Sequence, residues 1–180
     1  MENILQVVGY KNAGKTTIIE QLLDLFTATG YRVSTIKHHG HGGTPTGNTD
    51  SDRFSRLGAQ GSLVEGDGHI HLYAQRSKWS LDELIQIHTI VSKPTLILVE
   101  GWKHGPYRKI VLLRTEADIP LLQLENICCA LIHEQVEIHS GDWPFPIFSV
   151  ANQKEYQSYL MRNVKKGVVQ SNDSINKRSN

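Results

Sequence analysis

Gly9-Tyr10-Lys11-Asn12-Ala13-Gly14-Lys15-Thr16 follows the apolar run Asn3 to Val8 and precedes Ile18, Ile19, Leu22, Leu23, Leu25 and Phe26, which recur at helical spacing. The stretch satisfies G-x-x-x-x-G-K-[ST], and it stands where a phosphate-binding loop must stand, after a strand and opening a helix. Its glycines permit the backbone angles that turn N–H groups inward around a β-phosphate. The helix N-terminus adds its dipole, and Lys15 sets a charge on the β and γ oxygens. The Thr16 hydroxyl suits Mg²⁺. Gly30 stops the helix, and Tyr31 to Lys37 has the β-branched content of a second strand. The first 37 residues therefore read as a βαβ unit with a right-handed parallel crossover.

Thr95 to Val99 is a continuous apolar run, the pattern of a strand buried on both faces of a parallel sheet, and it ends in Glu100-Gly101. Phosphate-binding loops are completed by an acidic residue at the end of a neighbouring strand, which holds the metal. Glu100 is the candidate, against the plainer role of accepting backbone bonds where the strand meets its loop. Gly101 would let the backbone approach a γ-phosphate.

Between these two motifs lies His38 to Thr49 (HHGHGGTPTGNT), aperiodic and rich in glycine, which predicts a mobile loop. Asp50 beyond it can cap a short helix, Ser51 to Leu57, and can carry a catalytic carboxylate to the metal or a water, two roles that can coexist, and Asp52 shares the second. His38, His39 and His41 match no zinc spacing. Closure on nucleotide or partner, no specific role, and transition-metal binding all stay open for them. Ser62 to Glu65 and His69 to Tyr73 read as a hairpin turned by Gly66, Asp67 and Gly68. Ser80 opens a helix that runs toward Pro94, Lys109 to Leu113 and Ile127 to Ile132 read as strands, and Asn152 to Val164 reads as a terminal helix. The expected fold is α/β, a P-loop NTPase three-layer sandwich with a mostly parallel central sheet and a small β-hairpin extension. Residues 1–165 form its nucleotide-binding domain and residues 166–180 a disordered tail.

The 180 residues carry 19 Lys and Arg against 18 Asp and Glu, a formal charge of +1, so nothing global attracts the chain to nucleic acid or an anionic membrane. Charge for phosphate must be local. Cys128 and Cys129 are adjacent in an apolar run and build no disulfide framework, which points to a reducing compartment. The N-terminus lacks the pattern of a secretory leader, and no window reaches the roughly 18 apolar residues of a membrane span. The expectation is a soluble, cytoplasmic protein.

Four segments together resemble one family: VVGYKNAGKTT, TIKHHGH, DSDRFSRLGAQG and LILVEGWKHGPYRKIVLLR. They are similar to MobB, the molybdopterin-guanine dinucleotide biosynthesis protein B family of small GTP-binding P-loop NTPases, over about residues 1 to 165. E-G-[FW]-K-H after an apolar strand is the most specific of these features. The resemblance implies GTP and Mg²⁺ as cofactors, weak GTP hydrolysis, a homodimer, and an adaptor role beside the MobA guanylyltransferase in attaching GMP to molybdopterin. It makes Gly9, Lys11, Asn12, Ala13, Gly14, Lys15, Thr16, Thr17 and Gly101 nucleotide contacts, and Thr16 and Glu100 the metal ligands. Two departures stand out. Gly42-Gly43 replaces an aspartate that several relatives carry after the histidines, which leaves Asp50 as the acidic candidate from that loop. Tyr10 occupies the position where related dimeric NTPases have an extra lysine. The guanine-reading order N-K-x-D is absent, since Asn152-Gln153-Lys154-Glu155 has the wrong order, so guanine over adenine rests on the resemblance. A small-metabolite kinase or nucleotide-processing enzyme, with Trp102 to Arg108 facing an anionic substrate, and a nucleotide-gated metallochaperone built on the histidines are the alternatives.

Overall fold

The computed structural model describes residues 3–38, 53–54, 56–138 and 143–176, with side chains through Val164. The chain forms two compact units, one from residues up to His38 together with those from Leu84 onward, the other between His39 and Glu83.

In the first unit, β1 (Asn3–Val8), β2 (Val33–Lys37), β5 (Leu96–Glu100), β6 (Arg108–Leu113), β7 (Ile127–Ile132) and β8 (Ile147–Ser149) form one sheet in the order β2-β5-β1-β6-β7-β8. All of its pairings are parallel. The βαβ unit is present, with α1 (Lys15–Ala28) as its helix, but β1 and β2 are not neighbours because β5 lies between them. Side-chain pattern explains the order. Leu96, Ile97, Leu98 and Val99 are all fully buried, so β5 needs cover on both faces and both edges, whereas β2 alternates buried with exposed residues and suits an edge.

Alternation along the strands sends two sets of side chains into two cores. On one face Leu5, Val7, Leu98, Ile110 and Leu112 meet Ile18, Leu22 and Phe26 of α1 and Tyr156, Leu160 and Val164 of the terminal helix α3 (Gln153–Asn176). On the other, Val8, Val111, Leu113 and Ala130 meet Leu121, Leu122 and Val136. Leu121 and Leu122 belong to a 3-10 helix, Glu116–Gln123, for which the sequence shows no periodic signal. A reciprocal cap between Thr115 and Asp118 starts it, and Asp118 Oδ2 also accepts the Arg114 N–H at 2.7 Å. The α3 backbone continues beyond Val164, the expected end, to Asn176, a stretch without proline.

In the second unit, β3 (Gly61–Gly66) and β4 (His69–Ala74) form the expected antiparallel hairpin. Its two turn residues, Asp67 (φ 50°) and Gly68 (φ 77°), both have the positive φ of a tight primed turn, and Gly66 belongs to the strand. Arg53, Phe54 and Arg56 are helical, whereas Asp50, the expected cap, lies outside the described residues. Ser80 and Glu83 exchange bonds at 3.2 and 2.9 Å, a capping box that starts α2 (Leu81–Ser92). Among the described residues no helix is long and apolar enough to cross a membrane.

Leu112 is fully buried where β6 packs under the phosphate loop. Leu112→Ala removes its contacts and leaves a cavity, and is expected to cost about 2–5 kcal/mol, read as a lower urea midpoint at unchanged slope.

Candidate functional site

The sheet order reverses at β1, since the chain leaves β1 toward β2 on one side and later fills β6, β7 and β8 on the other. Open parallel sheets bind ligands at the carboxyl ends of the strands flanking such a point, which is where Gly9 to Thr16 emerges. Asn12 (φ 61°) and Gly14 (φ 92°) hold left-handed backbone on either side of Ala13, the geometry that curls successive amides into an anion-binding nest. Gly9 is packed so closely that a Cβ there would sit 3.0 Å from the Leu112 carbonyl oxygen and 3.2 Å from the Ala13 methyl.

Two side chains from distant strand ends set the outer wall of this loop. Arg114, just past β6, donates through Nη1 to the Asn12 carbonyl, and His133, just past β7, lies with Nε2 3.2 Å from the Ala13 carbonyl. Both carbonyls are thereby engaged from outside the motif, while the Ala13 N–H donates to the Tyr10 carbonyl at 3.4 Å. Lys15 Nζ donates to the Tyr10 carbonyl at 2.7 Å. Burial pushes the Lys15 ammonium pKa down, Glu100 opposes this, and Lys103 and Lys37 push the same way as burial.

Parallel register brings Glu100 beside Val7 on β1 and Lys37 on β2. Thr16 Oγ1 donates to Glu100 Oε2 at 3.1 Å, which joins the two residues expected to ligate a metal. Lys37 Nζ lies 3.2 Å from Glu100 Oε2 and donates to Thr16 Oγ1 at 3.2 Å, so an ammonium already bridges the pair. A hydroxyl and a carboxylate converging on one cation form a hard-oxygen donor set that fits Mg²⁺.

Gly101 (φ 101°) and Trp102 (φ 50°) turn the chain sharply after β5. Gln6, fully buried in β1, donates through Nε2 to the Gly101 and Trp102 carbonyls at 3.1 and 2.8 Å, while its Oε1 is buried and has no hydrogen-bond partner among the described residues. Lys109, only 1% exposed, caps the same loop by donating to the Gly105 and Tyr107 carbonyls. Burial lowers its pKa, and Glu125 opposes that shift. Lys103 Nζ sits 3.7 Å from the centre of the Tyr10 ring, a cation–π contact that ties this loop to the phosphate loop. Gln6 is a polar residue interrupting NILQVV, whereas Lys109 opens KIVLL next to Arg108 and gives no such signal. Arg114 and His133 carry no such signal.

Gly9, Lys11, Asn12, Ala13, Gly14, Lys15, Thr16, Thr17, Glu100 and Gly101 thus gather at one end of the first unit, with Lys11 and Thr17 exposed. Asp50, Asp52, His39 and His41 lie outside the described residues. His38 is tilted against Trp102 with ring centres 4.6 Å apart. Among the described residues no group of three His, Cys, Asp or Glu is placed to hold a metal. Asn152 Nδ2 donates to Glu155 Oε2 at 2.6 Å, so that segment closes the first turn of α3 on itself.

The family model described as "MobB: Molybdopterin guanine dinucleotide synthesis protein B" matches residues 4–134. The chain belongs to the MobB family. It is 40% identical over 148 residues, 81% of this chain and 84% of the other, to a Bacillus subtilis (strain 168) protein named "Probable molybdopterin-guanine dinucleotide biosynthesis adapter protein". The crystal structure of Bacillus subtilis MobB superposes with a TM-score of 0.76 at 34% identity, covering 89% of this chain and 96% of that one. The MobB homolog from Bacillus stearothermophilus gives 0.74 at 35% identity, covering 91% and 99%. The MobB match takes in the phosphate loop, Glu100, the Gly101 turn and both clamping residues, Arg114 and His133.

Gly101→Ala tests how tightly the turn after β5 is held, because a Cβ at φ 101° would sit 3.0 Å from the His38 Cβ. The substitution is expected to lower unfolding free energy by about 1–3 kcal/mol, measured by urea denaturation.

Proposed function

We propose that this chain is a GTP-binding adaptor of molybdopterin guanine dinucleotide biosynthesis that hydrolyses GTP weakly with Mg²⁺. The observation that carries the nucleotide chemistry is the convergence of Thr16 Oγ1 and Glu100 Oε2, 3.1 Å apart, at the mouth of the amide-lined loop. The pathway assignment is supported by family membership and by relatives named as biosynthesis adapter proteins, among them one from Haemophilus influenzae at 33% identity over 132 residues.

Each residue then has a role of its own. The amides of Gly9 to Gly14 and the Lys15 ammonium bind the phosphates, assisted at the rim by Lys11, Asn12 and Thr17. Thr16 and Glu100 hold Mg²⁺, which neutralises charge on the β and γ oxygens when bound. Gly101, without a side chain, lets its backbone face the γ-phosphate, and Asp50 supplies the carboxylate that orients water. Slow turnover follows because Arg114 bonds the Asn12 carbonyl through Nη1 and is committed to shaping the loop. An adaptor needs a nucleotide-dependent surface more than rapid hydrolysis.

We assign a homodimer, MobA and molybdopterin as partners, and the cytoplasm as the site of action. Leu63, Ile70 and Leu72 share one face of the β3–β4 hairpin and are exposed, and a lone two-stranded hairpin with such a face is marginal in water, which favours a protein partner there. Cys128 and Cys129 are free and buried, in keeping with a reducing compartment.

Lys15→Ala is expected to cost more than about 2 kcal/mol of triphosphate affinity, at least roughly 30-fold in Kd, because a charge-assisted contact is lost from a backbone cradle. Isothermal titration with GTP, ATP and GDP, with and without Mg²⁺, checks this and the base preference together; an unchanged Kd removes the site, and equal GTP and ATP affinities remove guanine selectivity. Glu100→Gln should reduce Mg²⁺-dependent GTP hydrolysis more than GTP binding, and equal hydrolysis at saturating Mg²⁺ overturns its role.

A further inference from the structure

We infer that Lys37 is an internal cation that competes with the divalent metal for Thr16 and Glu100, and so sets how much Mg²⁺ nucleotide binding requires. The inference rests on the nucleotide-binding reading above and concerns a residue that reading leaves without a role.

Three features single out Lys37. It is the last residue of β2, and parallel register puts it directly beside Glu100, so its place is built into the sheet and does not depend on a flexible loop. Its Nζ contacts both groups that ligate the metal, 3.2 Å from the Glu100 carboxylate and 3.2 Å from the Thr16 hydroxyl. Its side chain is 59% exposed while that of Glu100 is only 12% exposed, so the lysine can swing into water whereas the carboxylate cannot. The mobile partner of a fixed carboxylate is the one that yields to a competitor.

Charge balance explains why such a cation is useful. Glu100 is a mostly buried carboxylate facing a site meant for polyphosphate, and anion repels anion. Lys37 neutralises it, which allows phosphate to enter ahead of metal. When a divalent ion takes the same hydroxyl and carboxylate, two cations cannot share them, and the Lys37 ammonium moves away. Lys15 lies close enough to Lys37 for the two ammonium groups to repel, which raises the cost of keeping a further cation there. Thr16 also changes role, from acceptor of a Lys37 N–H to metal ligand.

The test is a titration of Lys37→Met with a fluorescent GTP analogue, once in EDTA and once with increasing Mg²⁺, beside wild type and Lys37→Arg. The inference expects two shifts of opposite sense. Metal-free affinity falls by about three- to tenfold because Glu100 then opposes phosphate, and the half-saturating Mg²⁺ concentration falls by about the same factor because the competitor is gone. Lys37→Arg keeps the charge and stays within about twofold of wild type in metal-free affinity. A thermal melt of each variant confirms folding, which an exposed side chain favours. An unchanged or higher Mg²⁺ requirement in Lys37→Met overturns the inference. Weaker binding at saturating Mg²⁺ with an unchanged Mg²⁺ midpoint also overturns it, making Lys37 a plain phosphate ligand. Failure of wild type to bind any guanine nucleotide counts instead against the nucleotide-binding reading.

Discussion

The parallel pairing of β5 with β1 is the constraint on which the site depends. Ladder registration sets Glu100 opposite Val7, two residues before Gly9, so the carboxylate and the mouth of the phosphate loop share one edge of the sheet. A slip of one residue would turn Glu100 to the other face and bring a buried apolar side chain to the metal position. The charged end of β5 resists such a slip, because it would carry Glu100 toward ladder positions where Leu96 to Val99 are fully buried. Packing that stabilises the fold is therefore also what positions the acid.

The same strand insertion brings a second element to the site. By separating β1 from β2, β5 acquires Lys37 on its other flank, so Glu100 stands between the β1 loop and the β2 end. Local electrostatics follow from topology. Lys37 is ion-paired with Glu100, and Lys15 is within electrostatic reach of Glu100, Lys37 and Lys103, in a chain whose formal charge is only +1. A neutral protein thus concentrates positive potential at one sheet edge, where backbone amides and a helix terminus reinforce it.

Local signals made much of this legible in the sequence. Periodicity and glycine placement identify α1, and a run of uninterrupted apolar residues identifies β5 as interior. The loop motif also names its own residues, because backbone geometry, lysine and hydroxyl all fall within one short segment. What stays hidden is non-local. Nothing in the spacing of β1 and β2 says that β5 will come between them, and nothing near Arg114 or His133 says that they grip carbonyls about a hundred residues earlier in the chain. The 3-10 helix Glu116–Gln123 is invisible for another reason, being too short for a helical period and interrupted by Pro120. Asp50 shows the opposite limit: its candidacy comes from sequence, and its position lies outside the described residues.

Gln6 and Lys109 show how a polar residue inside an apolar strand can serve a site it never touches. Adjacent across β1 and β6, they are buried on the same side of the sheet, and together they engage four carbonyls of the turn between β5 and β6. Burying an amide and an ammonium costs free energy unless each finds partners, and these carbonyls supply them, the Trp102 carbonyl also accepting from the Gly105 N–H at 2.8 Å. The result is a loop held from beneath by the sheet and from above by the Lys103–Tyr10 contact, so that a shift of the phosphate loop reaches Trp102 and, through ring packing, His38. His38 immediately follows Lys37, the residue whose side chain must leave when metal arrives. The end of β2 and the turn after β5 are thus joined next to Glu100 both by ladder register and by ring packing, within the first unit.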